Sequence, residues 1–277
     1  MVIIFEKSVS YISLSDIRMS QILIGTSGYY YDDWRDIFYP VKLKKEDYLS
    51  FLAGHFNVVE LNFSYYRIPS TRQAGHMLEK AQGRLEFVIK AFRQITHEIS
   101  DRSINEILPQ FLEGIAPFFD AGRLGAILLQ FPQGFRYIPT NRQYLKSLLE
   151  ALAAYPVCVE FRHREWLKAS VYESLHELGT GIVCVDEPPL PSLMPPTVIA
   201  TSRIGYLRFH GRNKKNWYKG NATTRYDYLY TPAELEEWLP KIMDLSLKTD
   251  KIYIFFNNHA KSQSVTNAKM LINLLKA

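Results

Sequence analysis

The segment VVELNFSYYR, residues 58–67, begins as an apolar run and changes abruptly to polar and aromatic side chains. Its first part is rich in β-branched residues, which is typical of a buried strand. Glu60 and Asn62 share one face of that strand, because side chains alternate along it. The segment therefore predicts a buried strand whose carboxyl end carries potentially reactive groups.

Seven further runs of this kind recur along the chain. They are almost continuously hydrophobic rather than alternating, which suits parallel strands covered on both faces. The eight predicted strands are QILIG (21–25), VVELN (58–62), EFVIKA (86–91), LGAILLQF (124–131), VCVEF (157–161), GIVCVD (181–186), GYLRFH (205–210) and KIYIFFN (251–257).

Segments with helical periodicity lie between most of these runs. Thr231, Pro232 and Glu234 form the pattern of a helix start with a capping box. The predicted helices cover residues 47–55, 71–82, 101–122, 142–152, 231–243 and 262–277. This alternation predicts an α/β fold, a single (β/α)8 TIM barrel with eight parallel strands. A doubly wound open sheet is the competing fold, but its usual Gly-x-Gly-x-x-Gly loop does not occur after an early strand.

The chain of 277 residues shows no internal repeat and no linker. The first residues contain Glu6 and Asp16 and no clear cleavage site, unlike a secretory signal. Met19 opens directly into the first strand. We therefore expect an N-terminal extension at 1–18 outside the barrel and a TIM-barrel domain at 19–277.

The composition, 47% hydrophobic and 22% charged, is that of a globular protein. No apolar run approaches the ~20 residues needed to span a bilayer, so no membrane partner is expected. Cys158 and Cys184 lie in apolar runs without metal-binding or disulfide spacing. They predict reduced thiols in a cytoplasmic protein. The net charge of +5 is compatible with phosphate-bearing partners.

The predicted strand ends are polar on nearly every strand. Chemistry in TIM barrels gathers at these carboxyl ends. We interpret four groups there as candidate catalytic acids and bases, namely Glu60, Glu160, Asp186 and His210. The predicted substrate-binding groups from the strand ends are Asn62, Lys90, Gln130, Arg162, Arg208, Asn257 and Asn258. Such a concentration favours a ligand site, since a buried charge costs several kcal/mol unless it is paired.

Two aromatic segments flank the same predicted end. SGYYYDDW (27–34) contributes Tyr31 and Trp34, and Tyr66 and Arg67 follow the second strand. The loop at 212–230 contributes Tyr226 and interleaves aromatic residues with Lys214, Lys215, Lys219 and Arg225. Aromatic rings can stack on bases or sugars while cations bind phosphate. We expect a phosphate group near Arg208, His210 and this loop.

The chain resembles the YecE-like proteins, known as domain of unknown function 72, from about Ile22 to its end. The motifs that carry the resemblance are IGTSGYYYDDWRDIFYP (24–40), VELNFSYYRIPS (59–70), FVIKAFRQITH (87–97), LLQFP (128–132), VEFRH (159–163) with Trp166, the turn at 186–188, LRFHGR (207–212), RYDYLYTPAEL (225–235), and FNN (256–258) with Asn267 and Ala268. The resemblance implies a TIM barrel but no established reaction. Tyr29, Phe63 and His259 depart from the usual family pattern.

These observations favour an enzyme acting on a phosphate-bearing ligand: a nucleotide, a nucleic acid or a sugar phosphate. Such an enzyme would be a hydrolase, a lyase or an isomerase. A non-catalytic nucleic-acid-binding protein and a sugar enzyme without a phosphate requirement are the alternatives. No motif for a nucleotide cofactor is present. A divalent metal is compatible with the carboxylates, but the near balance of cations and carboxylates does not favour it.

Overall fold

The computed structural model describes residues 20–277, apart from the side chains of 222 and 223. Within that range, eight parallel strands close into a barrel in chain order. The strands are β1 (Gln21–Ser27), β2 (Val58–Leu61), β3 (Glu86–Lys90), β4 (Leu124–Gln130), β5 (Val157–Glu160), β6 (Gly181–Asp186), β7 (Ile204–Phe209) and β8 (Lys251–Phe256). Every predicted run coincides with a strand, so the predicted (β/α)8 TIM barrel is confirmed. The predicted extension at 1–18 lies outside the described residues.

Helices surround the barrel and bury apolar faces against the strands. They are α1 (Tyr48–Leu52), α2 (Thr71–Ala81), α3 (Arg93–Thr96), α4 (Leu108–Asp120), α5 (Pro139–Ala151), α6 (Ala169–Glu177), α7 (Ala222–Arg225), α8 (Pro232–Glu236), α9 (Leu239–Ser246) and α10 (Gln263–Leu274). None of the helices in residues 20–277 is both long enough and apolar enough to cross a membrane.

The helix predicted over 231–243 is divided into α8 and α9 around Trp238. Pro240 lies at the start of α9, where its missing N–H removes no helical hydrogen bond. The predicted capping box is present, with reciprocal bonds between Thr231 and Glu234. Helix α6 was not predicted, because its buried face consists only of Val171 and Leu175.

The amino-terminal end of the barrel interior is filled by a self-contained polar cluster. Lys251 donates to Glu86 at 2.7 Å, and the Tyr253 hydroxyl donates to the same carboxylate at 2.5 Å. The register between β3 and β4 shifts beside Gly125. A Cβ atom at Gly125 would lie 2.6 Å from the Tyr253 hydroxyl, so the glycine leaves room for that ring. At this end of the barrel, the partly exposed Lys251 and Glu86 and the buried Tyr253 therefore satisfy one another.

Candidate functional site

Strand register decides which polar side chains face the barrel axis. Ser27 pairs with Glu60, Gln130 pairs with Glu160, and Arg208 pairs with Val185. Paired residues in a parallel sheet face the same side, and residues two apart on one strand share that side. The structure consequently places Glu60, Glu160 and Arg208 inside the barrel.

Glu60, Glu160 and Arg208 form a closed ionic cluster across the barrel. The two terminal nitrogens of Arg208 each lie 2.6 Å from a carboxylate oxygen, one on Glu60 and one on Glu160. The Tyr206 hydroxyl also donates to Glu60. Arg208 is 2% exposed and both carboxylates are fully buried. We call Glu60, Glu160, Tyr206, Arg208 and His210 the supporting layer.

His210 completes the supporting layer as a neutral ring. Its Nε2 lies 3.2 Å from Glu160 Oε1, and its Nδ1 lies 3.1 Å from the Asn257 amide nitrogen. Burial, followed by the charge of Arg162, lowers the pKa of His210 to about 3. With the proton on Nε2, the ring donates to Glu160 and accepts from Asn257. Both ring nitrogens are therefore engaged.

Arg162 connects the supporting layer to Glu187, which follows β6. Its Nε lies 2.5 Å from Glu160 Oε1, and a terminal nitrogen donates to Glu187 at 3.2 Å. Burial alone would raise the pKa of Glu160, but Arg162 and Arg208 lower it well below its ordinary value. Burial raises the pKa of Glu187 to about 7, against the opposing charge of Arg162. The Met194 backbone N–H holds the other Glu187 oxygen at 2.9 Å.

A cavity of about 1040 Å³ opens above the supporting layer at the carboxyl ends of the strands. We call it the mouth cavity. It is lined by Gly28, Tyr29, Tyr30, Tyr31, Leu61, Asn62, Phe63, Tyr65, Tyr66, Arg67, Gln73, Lys90, His97, Gln130, Arg162, Arg208, Gly220, Asn221, Arg225, Tyr226, Asn257 and His259. Five of these residues are Arg or Lys, and none of this lining is Asp or Glu. The cavity wall is thus electropositive.

Lys90 projects from the end of β3 into the mouth cavity. Its Nζ donates to Gln130 Oε1 at 2.8 Å and lies 4.3 Å from the centre of the Tyr65 ring. Gln130 is itself held by a bond from its amide nitrogen to the Phe131 carbonyl oxygen. Burial, followed by the charge of Arg208, lowers the pKa of Lys90 from 10.5 to about 7.

Arg67 and Arg225 also face this cavity without a carboxylate partner. Among the described residues, neither forms an ion pair within 4.0 Å. The Nε atom of Arg225 is buried and has no hydrogen-bond partner there, and the same is true of Asn62 Oδ1. Arg67 lies over the Phe63 ring at 5.6 Å. We call Arg67, Lys90 and Arg225 the open cations.

A second cavity of about 380 Å³ adjoins the first. The two share Tyr65, His97, Gln130, Arg162, Arg225 and Tyr226. The smaller one extends toward Trp217, Tyr218, Leu193 and Pro132. Trp217 is buried, whereas Tyr218 is 55% exposed. The mouth therefore continues as a groove with an aromatic wall.

Local backbone geometry fixes the positions of the side chains in the cavity wall. Gly28 adopts a φ of +83°, and a Cβ atom there would lie 2.5 Å from the Tyr31 hydroxyl. The hydroxyl donates to the Ser27 carbonyl at 2.9 Å, and the Tyr31 ring stacks on His259 at 4.5 Å. After β2, Ser64 donates to the Lys90 carbonyl at 2.6 Å and ties the loop that carries Arg67 to β3.

Most of the predicted site residues meet at this mouth. Those that line the cavity are Tyr31, Asn62, Tyr66, Arg67, Lys90, Gln130, Arg162, Arg208, Tyr226 and Asn257. Glu60, Glu160 and His210 lie beneath them in the supporting layer. Tyr29, Phe63 and His259, which depart from the family pattern, line the cavity as well.

Three predicted site residues lie elsewhere. Asp186 points toward the helices, where its carboxylate accepts from Tyr230 at 2.6 Å and from the Trp238 ring nitrogen at 2.9 Å. Arg212 pairs with the same carboxylate at 2.7 Å. Asp186 pairs with Phe209 in the sheet, and that register turns both residues away from the barrel axis.

Asn258 bonds to the Tyr228 carbonyl and to Asn267, and so ties β8 to α10. Trp34 is fully buried and donates to the His259 carbonyl at 2.7 Å. Neither lines the mouth cavity. Both hold the loops that form its wall.

Sequence reasoning missed Glu187 and His97. Val183, Val185 and Glu187 share one face by alternation, and the pairing of Val185 with the inward Arg208 assigns that face, and with it Glu187, to the barrel interior. His97 lines both cavities, and its ring lies edge-on to Tyr65 at 4.8 Å. Burial, followed by the charge of Lys90, lowers the pKa of His97 to about 4.

The basic loop after β7 contributes less than expected. Of its four predicted cations, only Arg225 lines the mouth cavity, while Lys214, Lys215 and Lys219 are exposed. The phosphate site expected near Arg208, His210 and this loop stays a prediction. The terminal nitrogens of Arg208 and both ring nitrogens of His210 already have protein partners, whereas Arg208 lines the cavity with an Nε that has none among the described residues. Among residues 20–277, no group of three or more His, Cys, Asp or Glu side chains is arranged to hold a metal ion.

Comparisons with known proteins agree with this fold. A family model described as protein of unknown function DUF72 matches residues 23–277. The UPF0759 protein YunF of Bacillus subtilis is 30% identical over 272 residues, covering 92% of this chain and 94% of that protein. The UPF0759 protein YecE of Escherichia coli is 27% identical over 150 residues, covering 52% of this chain and 53% of that protein.

Solved structures give the same result. A crystal structure of a DUF72 family protein from Thermotoga maritima matches with a TM-score of 0.84 and 36% identity, covering 93% of this chain and all (100%) of that one. A DUF72 family protein from Enterococcus faecalis matches with a TM-score of 0.80 and 24% identity, covering 93% of this chain and 96% of that one.

Proposed function

The chain belongs to the DUF72 family, and we propose that it is an enzyme whose mouth cavity binds a phosphate-bearing substrate, with Arg67 and Arg225 at the phosphate and Lys90 beside them. The main support for this proposal is the positive charge of the mouth cavity. Three basic side chains without carboxylate partners among the described residues line one cavity, and no carboxylate lines it. An anion would supply the missing counter-charge and form charge-assisted hydrogen bonds with these groups.

The supporting layer explains why the anion is assigned to the open cations. Each terminal nitrogen of Arg208 is paired with a carboxylate, one with Glu60 and one with Glu160, and only its Nε lacks a partner among the described residues. Arg162 is shared between Glu160 and Glu187. These carboxylates hold the arginines in place and neutralise them, so they contribute rigidity to the cavity floor rather than free positive charge.

The unpartnered groups around the cavity support a polar ligand. Asn62 Oδ1 and Arg225 Nε are buried without hydrogen-bond partners among the described residues. Buried polar atoms normally find partners, and exceptions often mark a ligand or water site. Asn62 Oδ1 can accept a hydrogen bond from a hydroxyl group while Arg225 donates one to a phosphate oxygen, a combination that suits a sugar phosphate.

Catalysis rather than simple binding is supported by Lys90. An amine whose pKa lies near 7 can donate and accept a proton at neutral pH. The reaction would be that of a hydrolase, a lyase or an isomerase acting on the phosphate-bearing substrate.

Calorimetric binding of ribose 5-phosphate, ribose and inorganic phosphate tests the anion site. We expect ribose 5-phosphate to bind more tightly than ribose. Arg67→Gln and Arg225→Gln should each weaken binding of ribose 5-phosphate by about ten- to a hundredfold, the effect of losing one charge-assisted hydrogen bond. Raising the salt concentration should weaken binding further.

The matched control is Arg203→Gln. Arg203 is an exposed arginine at the opposite end of the barrel, paired with Asp250, and its loss should leave the affinity unchanged. Equal affinity for ribose and ribose 5-phosphate, or equal losses in all three variants, would contradict the proposed anion site.

A non-catalytic role in binding single-stranded nucleic acid is the second candidate. Its support is the exposure of Tyr30, Tyr66 and Tyr218, which are 56%, 67% and 55% exposed and lie around the two cavities. Exposed aromatic rings beside cations are suited to base stacking. Tight binding of an oligonucleotide with a steep salt dependence, weakened by Tyr66→Ala but not by Lys90→Arg, would favour this role over the enzyme.

A further inference from the structure

Lys90 occupies an unusual position for a lysine. Among the described residues, its Nζ has one hydrogen-bond acceptor, the neutral side chain of Gln130, and it lies over the Tyr65 ring. No carboxylate of the described residues lies within 4.0 Å of it. Interior lysines are normally ion-paired, because an unpaired buried charge is costly. Lys251, at the other end of the same barrel interior, shows the usual arrangement in its pair with Glu86.

Burial of the Lys90 amine is the main reason that its neutral form is accessible. The surrounding charges act in both directions: Arg208 and Arg162 repel the ammonium, while Glu160 and Glu60, which are themselves paired with arginine, attract it. The nearby His97 contributes no charge at neutral pH, since its pKa is about 4. With its pKa lowered to about 7, the Lys90 amine is present in both protonation states near neutral pH. An ordinary lysine, with a pKa of about 10.4, is almost entirely protonated there.

We propose that Lys90 is a nucleophile that forms an imine with the carbonyl carbon of a phosphorylated aldehyde or ketone bound in the mouth cavity. This inference rests on the proposed function, since the open cations Arg67 and Arg225 would bind the phosphate. It narrows the substrate class from phosphate-bearing compounds to phosphorylated carbonyl compounds.

The step balances without an additional reactant. The Nζ lone pair attacks the carbonyl carbon, and a proton transferred from nitrogen to oxygen gives a carbinolamine. Loss of the hydroxyl group and of the remaining Nζ proton as water gives the imine. Protonation of the imine gives an iminium ion, whose N–H can retain the bond to Gln130. The Tyr65 ring, already below the amine, would stabilise that cation.

Reductive trapping in the full-length protein tests the proposal. The protein is incubated with dihydroxyacetone phosphate, sodium borohydride is added to reduce any imine to a stable secondary amine, and peptides are analysed by mass spectrometry. We expect Lys90 to be modified at least about tenfold faster than exposed Lys214, because an activated amine is the better nucleophile near neutral pH. Lys251, which is paired with Glu86 at the opposite end of the barrel, should stay unmodified.

Several readouts make the assignment specific. The rate at Lys90 should increase as the pH rises through about 7, where its pKa lies. Lys90→Arg should show no modification at position 90, while its circular dichroism spectrum reports whether it folds. Inorganic phosphate should slow the labelling by competing at the open cations. Modification of Lys214 without modification of Lys90 would overturn the proposal.

The two proposals fail in distinguishable ways. Phosphate binding that depends on Arg67, without an adduct on Lys90, would overturn the imine and leave the proposed anion site in place. Equal trapping of dihydroxyacetone and dihydroxyacetone phosphate at Lys90 would support the nucleophile and contradict the anion site.

Discussion

Two groups of charged side chains lie at the carboxyl end of the barrel, the supporting layer and the open cations, and they differ in their partners. In the supporting layer, Arg208 lies between Glu60 and Glu160, and His210 is fixed between Glu160 and Asn257. The open cations stand directly above it and have no carboxylate partner among the described residues. The difference separates charge that holds the protein together from charge that is available to a ligand.

The same contrast predicts opposite consequences of mutation. A group in the supporting layer has buried partners that would be left uncompensated by its removal. An open cation has no such partner, so its removal costs the folded state little. Stability should therefore respond to the lower level, and ligand binding to the upper one.

The largest expected effect belongs to Arg208. Arg208→Met keeps a long side chain but removes its charge, so Glu60 and Glu160 stay buried without their cation. We expect a loss of about 3–5 kcal/mol in the free energy of unfolding, as for other broken buried ion pairs, measured by urea denaturation at pH 7. Arg203→Met, which breaks an exposed pair with Asp250, is the control and should cost less than about 1 kcal/mol.

A loss as small as that of the control would show that the supporting layer is not held by Arg208. The double variant Glu60→Gln with Arg208→Met should then be compared with each single variant. Coupling between the two sites is expected because their side chains are in direct contact.

The strands, and the residues of the supporting layer that share a strand face, could be predicted from the sequence. The ion pairs between those residues could not. Alternation puts Glu60 with Asn62 on one face of β2, and the same rule puts Glu160 with Arg162 on β5 and Arg208 with His210 on β7. Their mutual contacts depend on how three strands that are not neighbours approach across the closed barrel. That approach is a property of the closed barrel and its register, which no single segment encodes.

Strand ends were the least predictable places. Asp186 and Glu187 are adjacent, and only the register with β7 shows that Asp186 faces Trp238 and Tyr230. Arg225 was recognised as part of a basic loop, but not as its one cation lining the mouth cavity. The loop conformation that brings it there includes a short helix, α7, which carries no periodic signal.

The next effect concerns the acid sensitivity of the supporting layer. The folded-state pKa of His210 is about 3, below its ordinary value of 6.5. The unfolded chain therefore binds a proton that the folded protein does not, and stability is lost as the pH falls from 6.5 toward 3. His210→Asn should reduce the slope of the free energy of unfolding against pH by up to about 1.4 kcal/mol per pH unit.

The comparison is made from about pH 6 to 5, above the ordinary pKa of Glu160, 4.5, where that carboxylate adds its own acid sensitivity. His97, with a pKa of about 4, and Glu187, with a pKa of about 7, also titrate differently in the folded protein, but they do so in both proteins, so the difference between the two reports His210. Urea denaturation of both proteins across this range gives the difference in slope. Parallel curves for the wild type and His210→Asn would mean that His210 takes up its proton in the folded protein as readily as in the unfolded chain.

The smallest expected effect on stability belongs to the open cations. Arg67→Gln and Arg225→Gln should each change the free energy of unfolding by less than about 0.5 kcal/mol, since neither breaks an ion pair among the described residues. The sign should be slightly favourable at low salt, because removing one cation relieves repulsion from the others lining the cavity. That gain should disappear as salt screens the charges. Urea denaturation at low and high salt measures the change in the free energy of unfolding and its salt dependence.

A loss above about 1 kcal/mol would show that the arginine stabilises the fold as the supporting layer does. An unchanged stability together with weakened binding of ribose 5-phosphate would show that the arginine serves the ligand and not the fold.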